Sequence, residues 1–217
     1  AQDREKDARL YFPGPNTFLV SKDLQTFETG TTENMSQSVG GERPVDFLAT
    51  NGTVTIAGGN GSAVTFNNGK HWIGPGSKSF GVPYAGFSAI WDGRQFVHAF
   101  GETITTSTDG KTWKTHAIKV AGDNGQIDVA NIAFNGVEYI AVTNHSIFAG
   151  PLVIYRSYDL VNWQKVEVPS ADTNVIQILP FRDGFILLGT HTWLYRNHHL
   201  SVPSDWAEAG VQAAREQ

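Results

Sequence analysis

The chain has 217 residues, enough for one domain with a real core, and its 40% hydrophobic and 17% charged residues with 23 glycines suit many short strands joined by tight turns. It holds no cysteine, which excludes disulfides, thiolate metal sites and a thiol nucleophile. The net charge of −5 lacks the basic footprint of a nucleic-acid binder, and no apolar run reaches the roughly 18–20 residues of a membrane-spanning helix.

Residues Ala1 to Leu10 are mostly charged and contain no apolar stretch of signal-peptide type, so no signal peptide is expected there. Arg9–Phe12 and Thr17–Val20 read as strands around Pro13-Gly14-Pro15-Asn16, with Gln25–Thr29 as a third. Val45–Trp72 reads as a four-stranded unit whose first turn is Asn51-Gly52. The next unit is the clearest. Ala85–Trp91, Gln95–Phe100, Thr103–Ser107 and Thr112–Ile118 are strands separated by Asp92-Gly93, Gly101-Glu102 and Asp109-Gly110. Asp128–Val168 parses the same way, with Asn135-Gly136 as its first turn, and a last unit carries Asp183-Gly184.

Two markers share one period. Ser107-Thr-Asp109-Gly110-Lys-Thr112-Trp113 has the spacing S-x-D-x-x-x-W, which returns as Ser157-Tyr-Asp159-Leu-Val-Asn162-Trp163 and, with phenylalanine, as Ser21-Lys-Asp23-Leu-Gln-Thr26-Phe27. A fourth copy reads Phe66-Asn-Asn68-Gly69-Lys-His71-Trp72, and a fifth sets His199 at the aspartate position with its aromatic delayed to Trp206. Positions 23, 68, 109, 159 and 199 are 45, 41, 50 and 40 residues apart. The Asn-Gly and Asp-Gly pairs keep the same beat. Four short antiparallel strands every 40–45 residues is the pattern of a propeller blade, and five such repeats fill the chain.

The Ser107–Trp113 segment resembles the Asp-box, or BNR repeat, of sialidase-like β-propellers. That resemblance implies a turn between the third and fourth strands of a blade, with Ser and Asp bonding turn amides and the aromatic packed between blades. The fold expected is therefore all-β: one domain over residues 1–217, a five-bladed propeller of four-stranded antiparallel blades. The first repeat lacks an inner strand, and part of Ala209–Ala214 is expected to supply it, closing the ring by pairing the chain ends.

The structural set is then Ser21, Asp23, Phe27, Asn68, Trp72, Ser107, Asp109, Trp113, Ser157, Asp159, Trp163 and Trp206. The aspartates resemble paired carboxylates for acid–base work, but they recur at equivalent turns and so lie apart around a ring. An Asp in a turn bonds its own backbone. His191, His198 and His199 complete no metal-ligand spacing, so neither metal nor cofactor is expected. Sialidases need an arginine cluster with a Tyr–Glu pair, and five-bladed glycosidases need three inner-strand carboxylates. Here Asp46 and Asp128 have no third partner, and the balance is against catalysis. Asn34, Asn51, Asn60 and Asn144 begin N-x-S/T triplets, read as chance in so Asn- and Ser-rich a chain.

Box turns and Asn/Asp-Gly turns share one face. The opposite face collects segments of varied length, Gly30–Arg43, Ile73–Pro83, Val120–Gln126 and Asn144–Pro151, and variable loops on a rigid scaffold carry recognition. Glu42, Arg43, Asn60, Glu102, Asn124, His145, His191 and Trp193 are the candidate ligand-binding residues, with His191 and Trp193 placed in one turn of the last unit. The expected function is a non-enzymatic recognition or assembly module for a glycan or protein, without nucleic acid or membrane insertion. The alternatives are a structural virion protein of a phage tail or surface, and a minimal glycoside hydrolase. An extracellular or virion-surface location is expected, with the cytoplasm left open.

Overall fold

The computed structural model describes residues 10–14, 17–21, 25–33, 47–58, 62–74, 88–120, 129–143, 153–166, 175–189, 192–197 and 199–201. Asp23, Glu42, Arg43, Asn60, Asn124, His145, His191, Trp206 and the 209–214 segment lie outside them.

All regular structure among the described residues is β. The first unit has three strands, β1 (Leu10–Gly14), β2 (Thr17–Ser21) and β3 (Glu28–Glu33). The second has β4 (Phe47–Thr50), β5 (Thr55–Gly58), β6 (Ser62–Thr65) and β7 (His71–Ile73). The third has β8 (Ser88–Trp91), β9 (Phe96–Phe100), β10 (Thr103–Ser107) and β11 (Lys114–His116), followed by the short β12 (Lys119–Val120). The fourth has β13 (Asn131–Phe134), β14 (Tyr139–Thr143), β15 (Val153–Ser157) and β16 (Asn162–Val166). The fifth has β17 (Val175–Phe181), β18 (Gly184–Gly189), β19 (Thr192–Arg196) and β20 (His199–Ser201). Units two to five are antiparallel meanders, as their turn spacing requires.

The Asn/Asp-Gly turns work through both residues. Asn51, Asp92 and Asn135 each accept two turn amides on Oδ1, at 2.8–3.0 Å. Gly52, Gly93 and Gly136 take the positive φ, at 91°, 97° and 97°. The fifth turn departs from this. There Arg182 holds the left-handed φ of 54° and Phe181 pairs with Gly184, so the glycine has moved into the strand. It is needed there for a different reason: a Cβ would strike the Tyr195 carbonyl oxygen.

The units are not four separate sheets beside a fifth. β3 pairs with β2 over Glu28–Gly30, then crosses to the second unit and pairs in parallel with β7, Thr31 opposite His71 and Glu33 opposite Ile73. The first two units thereby form one seven-stranded sheet. Gly30 stands at the crossover, where a Cβ would lie 2.5 Å from the Gly69 carbonyl oxygen. Thr31 Oγ1 lies 2.8 Å from His71 Nδ1, and His71 Nε2 lies 3.4 Å from Glu33 Oε2. The device recurs two units later, where β12 pairs in parallel with β16. The Gly30–Arg43 stretch, expected as loop, thus begins as strand.

The middle strands of an inner unit bury both faces, as β5, β6 and β14 do along their whole length, because each inner unit is stacked between two others. On β14, Tyr139 and Ala141 face the third unit while Ile140 and Val142 face the fifth. Consecutive units share four such cores. The first strands touch in sequence, β4 to β8, β8 to β13 and β13 to β17, so they follow one another along one side of the stack.

Candidate functional site

The turn between β10 and β11 and that between β15 and β16 are built alike. Ser107 Oγ accepts the Gly110 amide at 2.8 Å, and Asp109 Oδ1 accepts the amides of Lys111 and Thr112, each at 2.8 Å. Ser157 Oγ accepts the Leu160 amide at 3.0 Å, and Asp159 Oδ1 accepts Val161 and Asn162 at 2.9 and 2.7 Å. The Thr112 amide most of all holds Asp109 down at about 2, and the Asn162 amide does the same for Asp159. These carboxylates are committed to their own backbone. Asp109→Ala and Asp159→Ala should each cost about 1–2 kcal/mol in chemical denaturation, since each strands two turn amides, while Thr108→Ala beside Asp109 should be neutral.

The degenerate copies differ from expectation. In the second unit the acceptor is Asn67, whose Oδ1 takes the His71 amide at 2.9 Å, and Thr65 replaces the serine, taking the Gly69 amide at 3.0 Å. The expected position, Asn68, comes one residue after this acceptor. It is an added turn residue with φ of 56°, which is why the Asn68-based spacing showed no serine. In the fifth unit Arg196 pairs directly with His199, leaving a two-residue hairpin too short for the amide-capping loop.

Box aromatics pack backwards onto the preceding unit. Trp72 stacks on Phe18 with centroids 4.3 Å apart, Trp113 lies against the second unit's core, and Trp163 lies against the third's. Phe27, in the first unit, is 45% exposed in the described structure, unlike the buried Trp72 and Trp163. Ser21 is buried.

Of the expected ligand-binding residues, two are described. Glu102 is exposed at the tip of the β9–β10 hairpin. Trp193 is not at a turn. It sits inside β19, 4% exposed, in the core shared with the fourth unit. The alternation of β19 sends Trp193 and Tyr195 inward together, so Trp193 is no surface platform. The structure does not bring Trp193 and Glu102 into one site.

Two polar groupings escaped the sequence reading. In the core between the second and third units, His98 is 1% exposed, with its ring edge-on to Phe47 and Trp113 at 6.1 Å from each. Its Nε2, Thr105 Oγ1 on the opposite strand and Trp113 Nε1 have no hydrogen-bond partner among the described residues. Burial pulls the His98 imidazole down to about 4. The signal was the apolar run Phe96–Phe100, in which His98 shares the inward side with Phe96.

The other grouping lies at the turn end of the fourth unit. Glu138 is 6% exposed, and its Oε2 lies 3.9 Å from Arg156 Nη1. Arg156 donates from Nη1 to Tyr158 Oη at 3.0 Å and from Nη2 to Gln164 Oε1 at 2.6 Å. A cleft of about 110 Å³ opens here, lined by Arg156, Ser157, Tyr158, Asp159, Asn162 and Gln164.

Antiparallel four-stranded units, stacked face to face with their first strands in sequence along one side, define a β-propeller fold. No family model matches the chain, and no curated protein sequence matches it. Among solved structures it is similar to YCF48 bound to D1 peptide, with a TM-score of 0.59 and 14% identity over 92% of this chain and 67% of that one. It is also similar to the extracellular domain of BT4673 from B. thetaiotaomicron, with a TM-score of 0.61 and 10% identity over 93% of this chain and 26% of that one. An ancestral GH74 enzyme gives a TM-score of 0.58 and 12% identity over 95% of this chain and 30% of that one. These are β-propeller proteins, and the chain spans only part of each.

Proposed function

We propose that the chain is a non-enzymatic recognition or assembly module that binds a glycan or another protein. The observation that carries this reading is the uneven use of the turns. The residues that bond turn amides recur from unit to unit, whereas their neighbours change, which is how a scaffold presents variable contacts. The company of a peptide-bound propeller and of an extracellular domain supports the same reading. On this view the Ser-x-Asp turns are Asp-boxes, the protein works outside the cell, and the five units close by pairing residues 209–214 with β1.

The variable-loop face remains the proposed contact surface, with Arg43, Glu42, Asn60, Glu102, Asn124, His145 and His191 as its residues and Trp193 supporting them from the core. A glycan array probed with the full chain should give discrete hits. The double variant Arg43→Ala, His191→Ala should lose them by about tenfold in affinity, a change of roughly 1.4 kcal/mol, at unchanged melting temperature. Turnover of aryl glycosides by the wild-type chain would sink the non-enzymatic reading.

A further inference from the structure

We infer that the turn end of the fourth unit carries a subsite for a neutral saccharide, formed by Tyr158, Gln164 and Asn162 and steadied by Arg156. It is separate from the variable-loop surface proposed above, at the opposite end of the strands, and stands on different observations.

The third unit supplies an internal control. Its hairpin makes the same serine and aspartate bonds to turn amides as the fourth. In the same register, Arg156 pairs with Gln164 and Thr106 pairs with Lys114. At the places of Arg156, Tyr158, Asn162 and Gln164 the third unit has Thr106, Thr108, Thr112 and Lys114. The hairpin therefore folds without an arginine, an aromatic or a side-chain amide there. These groups are surplus to the scaffold, and the cleft of about 110 Å³ lies among them.

They are also held in one arrangement. The Arg156 guanidinium lies 5.7 Å from the Tyr158 ring centroid and is hydrogen-bonded to both Tyr158 Oη and Gln164 Oε1. Behind it the buried Glu138 Oε2, without a hydrogen-bond partner among the described residues, balances its charge at 3.9 Å. With Oε1 taken by Arg156, Gln164 presents its NH₂ as donor. Asn162 Nδ2 donates to Asp159 Oδ2 at 2.7 Å, so Asn162 presents Oδ1 as acceptor. The Tyr158 ring beside them is 57% exposed.

A fixed donor, a fixed acceptor and an open aromatic face ask for a ligand with hydroxyls along one edge and an apolar C–H face, which is a pyranose. The charges select among sugars. Glu138 already sits 3.9 Å from the one arginine and Asp159 lines the cleft as a second carboxylate, so a carboxylated sugar is repelled. The cleft admits one edge of a single ring, which implies affinity of about 1 mM or weaker.

The test is a two-dimensional amide NMR titration of the full chain with glucose, galactose, N-acetylglucosamine and N-acetylneuraminic acid. At least one neutral sugar should give saturable shifts confined to residues 156–164, and N-acetylneuraminic acid should give none. Tyr158→Ala should weaken that binding about tenfold, and Gln164→Ala should weaken it to a lesser degree. Both sites are exposed, so melting temperatures should hold. Tyr158→Thr, which installs the third unit's residue, serves if the alanine variant folds poorly. Arg43→Ala should leave these shifts intact, which separates this subsite from the loop surface. Absence of saturable shifts with every neutral sugar, shifts that survive Tyr158→Thr, or stronger binding of N-acetylneuraminic acid would each overturn the assignment.

Discussion

Trp163→Ala will lower the unfolding free energy by about 3–5 kcal/mol, the range for emptying a buried large aromatic site. Trp163 is 1% exposed and packs among Val97, Ala99, Ile104, Ile132 and Tyr155, joining the third unit to the fourth. Its Nε1 donates to the Leu160 carbonyl at 3.1 Å, so the ring also fixes the turn that precedes it. Leu160 holds a left-handed φ of 65°, a strained conformation for leucine that its own burial in the same core offsets. Removing the indole therefore loosens a core and a turn together. Phe27→Ala, at the matching place in the first unit, should cost under about 1 kcal/mol because Phe27 already faces solvent. Urea denaturation of both variants checks the pair. Equal losses would mean that the aromatics do not pack backwards onto the preceding unit.

Acidification will weaken the protein in two separate windows. His98 comes first. Its folded-state value is lowered from 6.5 to about 4 because burial disfavours the imidazolium. Between those values the unfolded chain binds a proton that the folded chain refuses, so stability is complete above pH 6.5 and falls as pH drops toward 4. The shift corresponds to roughly 3 kcal/mol. His116, lowered by burial and then by Lys114, adds to the loss with the same sign. Asp109 and Asp159 come second. Their values are depressed from 3.8 to about 2, so their contribution holds above 3.8 and disappears as pH falls toward 2. Urea midpoints measured from pH 7.5 to 4.5 should decline for the wild type and stay much flatter for His98→Gln. Parallel curves would remove His98 as the source.

The repeat was legible because its markers are local. Asn51, Asp92 and Asn135 each bond amides two and three residues ahead, and a serine two residues before an aspartate caps a turn from within seven residues. Such chemistry survives without knowledge of the rest of the chain. Where a copy shifts by one residue, as Asn67 for Asn68 does, spacing misleads because an added residue in a turn costs little. Trp193 was misplaced for another reason. Gly189 ends β18 and Thr192 begins β19, so the connection is short and the tryptophan already belongs to a strand. Its inward side is set by pairing opposite Leu187, itself fully buried. The Tyr158 cleft was hidden because its meaning comes from Glu138 and Arg156, 18 residues apart and joined only by the fold.

The parallel crossings of β3 onto β7 and of β12 onto β16 bind the units unequally. Main-chain bonds tie the first unit to the second and the third to the fourth. Among the described residues, the second meets the third and the fourth meets the fifth through side chains. A stack of like repeats approximates a one-dimensional array with nearest-neighbour couplings. Here the couplings alternate between stiff and soft, like a train whose carriages are bolted in pairs and merely buffered between them. Opening will begin at the soft joints and halt at the bolted ones, so the first four units should come apart two at a time, while the fifth, held by side chains alone, can leave singly.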